Sequence, residues 1–112
     1  MSRPLKIPKN KFKMKWSYGR YSVETVDHNL AGDYRLPYVE LIYDNTGADG
    51  RPSKLVLATY RWNEDGGNLN FIGDRPFQFI RDLDIQKIWY ELWNICEMLD
   101  AWYQKEVIDY DD

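Results

Sequence analysis

The sequence predicts an α+β domain: an antiparallel meander sheet of four to five strands, then one long C-terminal helix packed on one face. Three observations predict it. Side chains alternate with period two in segments between Lys9 and Ile72, the repeat of a strand with two unlike faces. Stretches rich in Gly, Asn, Asp and Pro separate these segments. From Ile85 onward the period becomes helical. Strands first and helix last describe a sheet with a helix laid across it, because each element must bury its apolar side against another.

Residues 1–8 read as a basic extended arm, since Pro4 and Pro8 disfavour helix on themselves and on their predecessors. Residues 9–112 form the α+β domain. From Lys9 to Trp16 the alternation is strict: Lys9, Lys11, Lys13 and Lys15 on one side, Asn10, Phe12, Met14 and Trp16 on the other. Tyr18-Gly19 is a tight turn into a second strand, Tyr21 to Val26. Residues 27–36 are a loop by composition. Tyr38 to Tyr43 is a third strand, with Val39, Leu41 and Tyr43 facing one way and Tyr38, Glu40 and Ile42 the other. Asp44 to Pro52 is loop chemistry throughout. Leu55 to Trp62 is a fourth strand, Asn63 to Asn68 a hairpin turn, and Leu69 to Ile72 a short fifth strand.

The helix is predicted to begin at Asp84, whose carboxylate can accept the orphan amides of a first turn. Winding the chain at about 100° per residue gathers Ile85, Ile88, Trp89, Leu92, Trp93, Ile95, Cys96, Leu99, Trp102 and Tyr103 on one half of the cylinder. Asp100 is the one polar residue inside that arc. A helix resting on a core needs a narrower stripe, so the excess calls for a cover beyond its own sheet. Trp93 and Trp102, at opposite edges of the arc, point to a homodimer.

A chain of 112 residues with 44% apolar and 16% aromatic residues builds a core without disulfides or metal. Its lone cysteine, Cys96, has no internal partner, and no apolar stretch follows the early lysines, so a cytoplasmic protein is expected. No run is long enough for a membrane span. Charge is segregated. The first twenty residues carry seven basic residues and no acid; the other ninety-two carry eight basic and all eighteen acidic residues, a balance of −10. Segregated charge bears on partners rather than on fold.

Enzyme chemistry finds little material. His28 is the only histidine, so neither a catalytic pair nor a histidine metal cluster is available. Cys96 lies in the apolar arc, where a thiol is disfavoured as a thiolate. Asp82 and Asp84 suit a helix start, and Asp109, Asp111 and Asp112 an acidic tail. Asn45 to Gly50 faintly echoes a calcium loop, but Val56 occupies the position of the closing glutamate. No catalytic residue, metal or cofactor is therefore assigned.

Two binding chemistries remain. The main expectation is a protein-interaction module: Glu91 to Asp112 holds seven acids against Lys105 alone, and Trp93, Trp102, Glu91 and Glu97 are its candidate interface. An acidic aromatic body of this kind suits an inhibitor that imitates nucleic acid, a style similar to that of proteins of phages and mobile elements. The alternative is a single-stranded nucleic-acid binder. Alternate strand residues lie about 6.7 Å apart, near the phosphate spacing of an extended strand. Lys9, Lys11, Lys13, Lys15 and Arg20 would track the backbone while Tyr18 and Tyr21 stack bases. Equally, lysines at a sheet edge deter edge-to-edge pairing.

Val39-Glu40-Leu41-Ile42-Tyr43-Asp44 and Gly50-Arg51-Pro52-Ser53-Lys54-Leu55, with a helix later, loosely resemble the transcriptional-coactivator family of single-stranded DNA-binding domains. The likeness covers about a third of the chain and implies strands first, helix last and nucleic acid as ligand. The fifth strand and the long tryptophan-rich helix depart from it.

Overall fold

A computed structural model describes residues 11–26, 29–30, 33–34, 37–63 and 66–107. The arm over residues 1–8, together with Lys9, His28, Asp109, Asp111 and Asp112, lies outside them. Strands β1 (Lys15–Tyr18), β2 (Tyr21–Val26), β5 (Tyr38–Asp44), β6 (Lys54–Asn63) and β7 (Gly66–Phe71) form one antiparallel sheet in meander order β1-β2-β5-β6-β7. Two short strands, β3 (Asn29–Leu30) and β4 (Asp33–Tyr34), pair as a separate ribbon within the segment expected to be loop. Helix α1 (Arg75–Phe79) precedes α2 (Asp82–Trp102), which widens into a π turn over Tyr103–Val107.

The alternation of the N-terminal segment holds from residue 11. Lys11, Lys13 and Lys15 are exposed, while Phe12, Met14 and Trp16 lean against the core. Regular strand pairing begins only at Lys15, six residues later than expected, yet the Thr25 N–H still donates to the Met14 carbonyl at 3.1 Å and the Met14 N–H to Thr25 Oγ1 at 3.1 Å. The turn at Gly19 takes φ 57°, a left-handed value that glycine reaches without a Cβ clash.

Register places Tyr21 and Val23 beside Tyr43 and Leu41, and Val39 beside Tyr60, all on the face beneath α2. Leu41 pairs with Ala58 and Ile42 with Val56, so Leu57 is the extra residue of a bulge. Leu57 and Ala58 are both buried as a result. From the helix come Ile88, Leu92, Ile95, Cys96 and Leu99, with Tyr103 sealing the end through a bond from its hydroxyl to the Pro37 carbonyl at 2.9 Å. The second sheet face holds no helix. There Arg61 lies 3.7 Å over the ring of Tyr38, and Lys15 pairs with its cross-strand neighbour Glu24 at 3.3 Å.

The helix start differs from expectation. Arg81 is the N-cap residue and Asp84 lies inside the first turn, 1% exposed, accepting a bond from Arg81 Nε at 2.9 Å. The arc is also narrower than its sequence: Ile85, Trp89 and Trp93 are exposed, because the sheet reaches only the side centred on Ile88, Leu92 and Leu99.

Gly67 is the tightest position in the sheet. A Cβ there would stand 1.9 Å from Tyr60 Oη, whose ring crosses the glycine on its way to the helix. Gly67→Ala is therefore expected to cost about 1–3 kcal/mol of stability in urea unfolding. A change within experimental error would show that Tyr60 does not occupy this space.

Candidate interaction surface

Asp100, the polar residue inside the apolar arc, decides how α2 lies. Its Oδ1 accepts a bond from Tyr60 Oη at 2.6 Å and another from Trp62 Nε1 at 2.5 Å, so β6 holds the last turns of the helix. Burial, and then the Asp100 carboxylate, push the Tyr60 phenol pKa upward, so it remains a donor at neutral pH. Trp62 stacks on Tyr103 at 4.8 Å between ring centroids. The flank of α2 that bears Asp100 also bears Trp89 and Trp93, which are consequently turned over the β6–β7 margin.

A chain of rings runs along that margin. Phe77 of α1 meets Phe71 of β7 at 6.1 Å, Phe71 meets Trp89 at 5.9 Å, Trp89 meets Trp93 at 5.8 Å, and Trp93 meets Tyr60 at 6.4 Å, each edge to face. Tyr60 is buried; the other four rings are exposed. Leu83, Ile85 and Tyr90 are further exposed apolar residues of α2. Phe77, Leu83 and Tyr90 are 71%, 79% and 70% exposed, far beyond what packing on their own sheet explains.

Of the residues the sequence nominates for a protein interface, Trp93 lies in this ring chain. Trp102 lies on the opposite flank, half-buried against Phe12 at 6.0 Å and Tyr103 at 5.2 Å. The chain's own N-terminal segment thus covers part of the arc expected to need a partner. Glu97 is exposed and Glu91 half-buried. Phe71, Phe77, Leu83 and Tyr90 were not nominated. Phe71 sits on a strand and Phe77 on a five-residue helix, and no helical period links them to the tryptophans.

The residues nominated for nucleic acid divide. Lys11, Lys13 and Lys15 are exposed on the side of the N-terminal segment away from α2. Tyr18 lies on the α2 side, stacked on Trp16 at 6.2 Å with Lys87 Nζ 4.5 Å from its ring centroid. Tyr21 is buried, and its hydroxyl donates to the Phe79 carbonyl at 2.8 Å, so its ring offers no free face. Tyr18, Arg20 and Tyr21 do converge on a cleft of about 630 Å³ that Arg81 and Asp84 also line. The three lysines stand away from it.

Among the described residues no group of His, Cys, Asp and Glu is placed to hold a metal ion, and no helix is long and apolar enough to cross a membrane. Protein-family models, curated proteins and solved structures were compared with the chain, and none of them matches it.

Cys96 is 1% exposed, and burial, followed by the Asp100 and Glu97 carboxylates, pushes its thiol up to about 12. The thiolate is then scarce at any pH below that value, and the sulfur is out of reach of solvent. DTNB is expected to label Cys96 of the folded protein slowly at pH 8 and rapidly once denaturant is added. Fast labelling without denaturant would contradict the burial and restore a nucleophilic role.

Proposed function

We propose that this chain is a non-enzymatic binding module whose partner is another protein, docked on the apolar surface of α1 and the first half of α2. One observation carries the reading: of nine large apolar side chains exposed among the described residues, seven fall between Phe71 and Trp93. Scattered apolar exposure is ordinary, but four of the seven, Phe77, Phe71, Trp89 and Trp93, are linked ring to ring, and a linked exposed patch costs solubility unless it is used. Aromatic anchors with charged residues at the border match the anatomy of protein interfaces. The sequence around these residues carries both signs, with Asp74, Asp82 and Glu91 beside Arg75 and Lys87 along the chain. From Glu91 onward the sequence turns acidic, which favours a partner with basic groups around an apolar recess.

Exposure of Lys11, Lys13 and Lys15 on one side favours single-stranded nucleic acid as the second reading. Two variants separate them. Capture of a defined protein from nuclease-treated host lysate is expected, lost in Phe77→Ala/Trp89→Ala and retained when the three lysines become alanine. The opposite pattern, with oligonucleotide binding that weakens with salt at a slope of roughly −0.7 per phosphate contact, would overturn the protein reading.

A further inference from the structure

We propose that β7 is a self-pairing edge, at which a second copy of this chain adds its own β7 antiparallel to make one continuous sheet. The inference rests on main-chain geometry and sequence at β7, and shares only Phe71 with the ring chain of the partner-binding surface proposed above.

The five-stranded order leaves β1 and β7 at the margins. Lys15 lies in β1, with Lys11 and Lys13 exposed just before it, and such lysines oppose strand addition. β7, Gly66-Gly67-Asn68-Leu69-Asn70-Phe71, has neither a charge nor a proline. Its free backbone groups can be assigned. The Ile72 N–H bonds the Leu57 carbonyl at 2.9 Å, and antiparallel bonds alternate, so Asn70, Asn68 and Gly66 also turn towards β6. Gly67, Leu69 and Phe71 then direct their N–H and C=O groups outwards, where the described residues give them no partner. Three outward donor–acceptor pairs at alternate residues are the complement of an extended backbone.

The strand is also complementary to itself about Leu69. With Leu69 opposite Leu69 of the second copy, all three outward pairs are satisfied in each chain. Phe71 then falls opposite Gly67, on the side where the Tyr60 ring crosses that glycine and meets Trp93 at 6.4 Å, so ring meets ring across the seam. On the other face, exposed Asn68 and Asn70 fall opposite Asn70 and Asn68, where amide can bond amide and no like charges meet. A two-fold axis perpendicular to the sheet keeps both α2 helices on one face, with the tryptophan flanks facing each other across the seam.

Sedimentation velocity at micromolar concentration should give a species near twice 13.5 kDa. Asn68→Lys/Asn70→Lys and Asn68→Glu/Asn70→Glu, both changed on the exposed face, should each self-associate at least about tenfold more weakly. An equimolar mixture of the two should restore the dimer. In the native chain, exchange of the Gly67, Leu69 and Phe71 amides should slow as concentration rises. A native monomer with those amides exchanging fast at every concentration would overturn the proposal. So would a dimer whose strength neither variant changes. The apolar residues of α1 and α2 are untouched in these variants, so capture of a protein partner is read separately.

Discussion

A single carboxylate governs how this small domain is assembled. The apolar arc of α2 is wider than its sheet can cover, so burial alone permits the helix more than one roll about its axis. Asp100 removes that freedom. A carboxylate half withdrawn from water must be matched by donors, and Tyr60 and Trp62 supply two from β6. The consequences spread in both directions. Tyr60 reaches Asp100 only because position 67 has no side chain, and the flank that carries Asp100 brings Trp89 and Trp93 over the β6–β7 margin. The exposed surface is the remainder of an apolar arc after a polar bond has chosen its angle.

That surface and the β7 edge are adjacent but chemically distinct. One offers rings and aliphatic side chains on a helix; the other offers backbone amides and carbonyls on an uncharged strand. The opposite margin of the sheet shows the contrast. There Lys11, Lys13 and Lys15 are exposed and Trp102 is sheltered by Phe12. The chain thus covers and charges its β1 side while leaving its β7 side apolar and neutral. The proposed self-pairing uses this asymmetry, since only the β7 margin lacks exposed lysines that oppose strand addition.

Much of the architecture was legible in the chain because its signals are local. Period two in Tyr38 to Tyr43 correctly sent Val39, Leu41 and Tyr43 to one face, and the spacing of Ile88, Leu92, Cys96 and Leu99 located the buried line of the helix. What escaped depends on distant residues. The bulge at Leu57 arises from pairing with β5, and nothing in Leu55 to Trp62 announces an extra residue. The carboxylate of Asp84 suits the orphan amides of a first turn, and the structure instead buries it against Arg81. α1 is too short for a period to show, and Pro76 marks only its start. Asp100 stood out as misplaced, yet its donors lie 40 and 38 residues away. Of the candidate surface, Trp93 was legible, while Phe71, Phe77, Leu83 and Tyr90 gained meaning only from their place around it.

A double-mutant cycle between Tyr60→Phe and Asp100→Ala, followed by urea unfolding, tests the governing bond most directly. The carboxylate is shielded and shared between two donors, so the two changes should be coupled by about 1–3 kcal/mol, well beyond the scatter of independent sites. Effects that simply add would mean that Asp100 does not hold the helix to β6, and that some other contact sets the angle of the tryptophan flank.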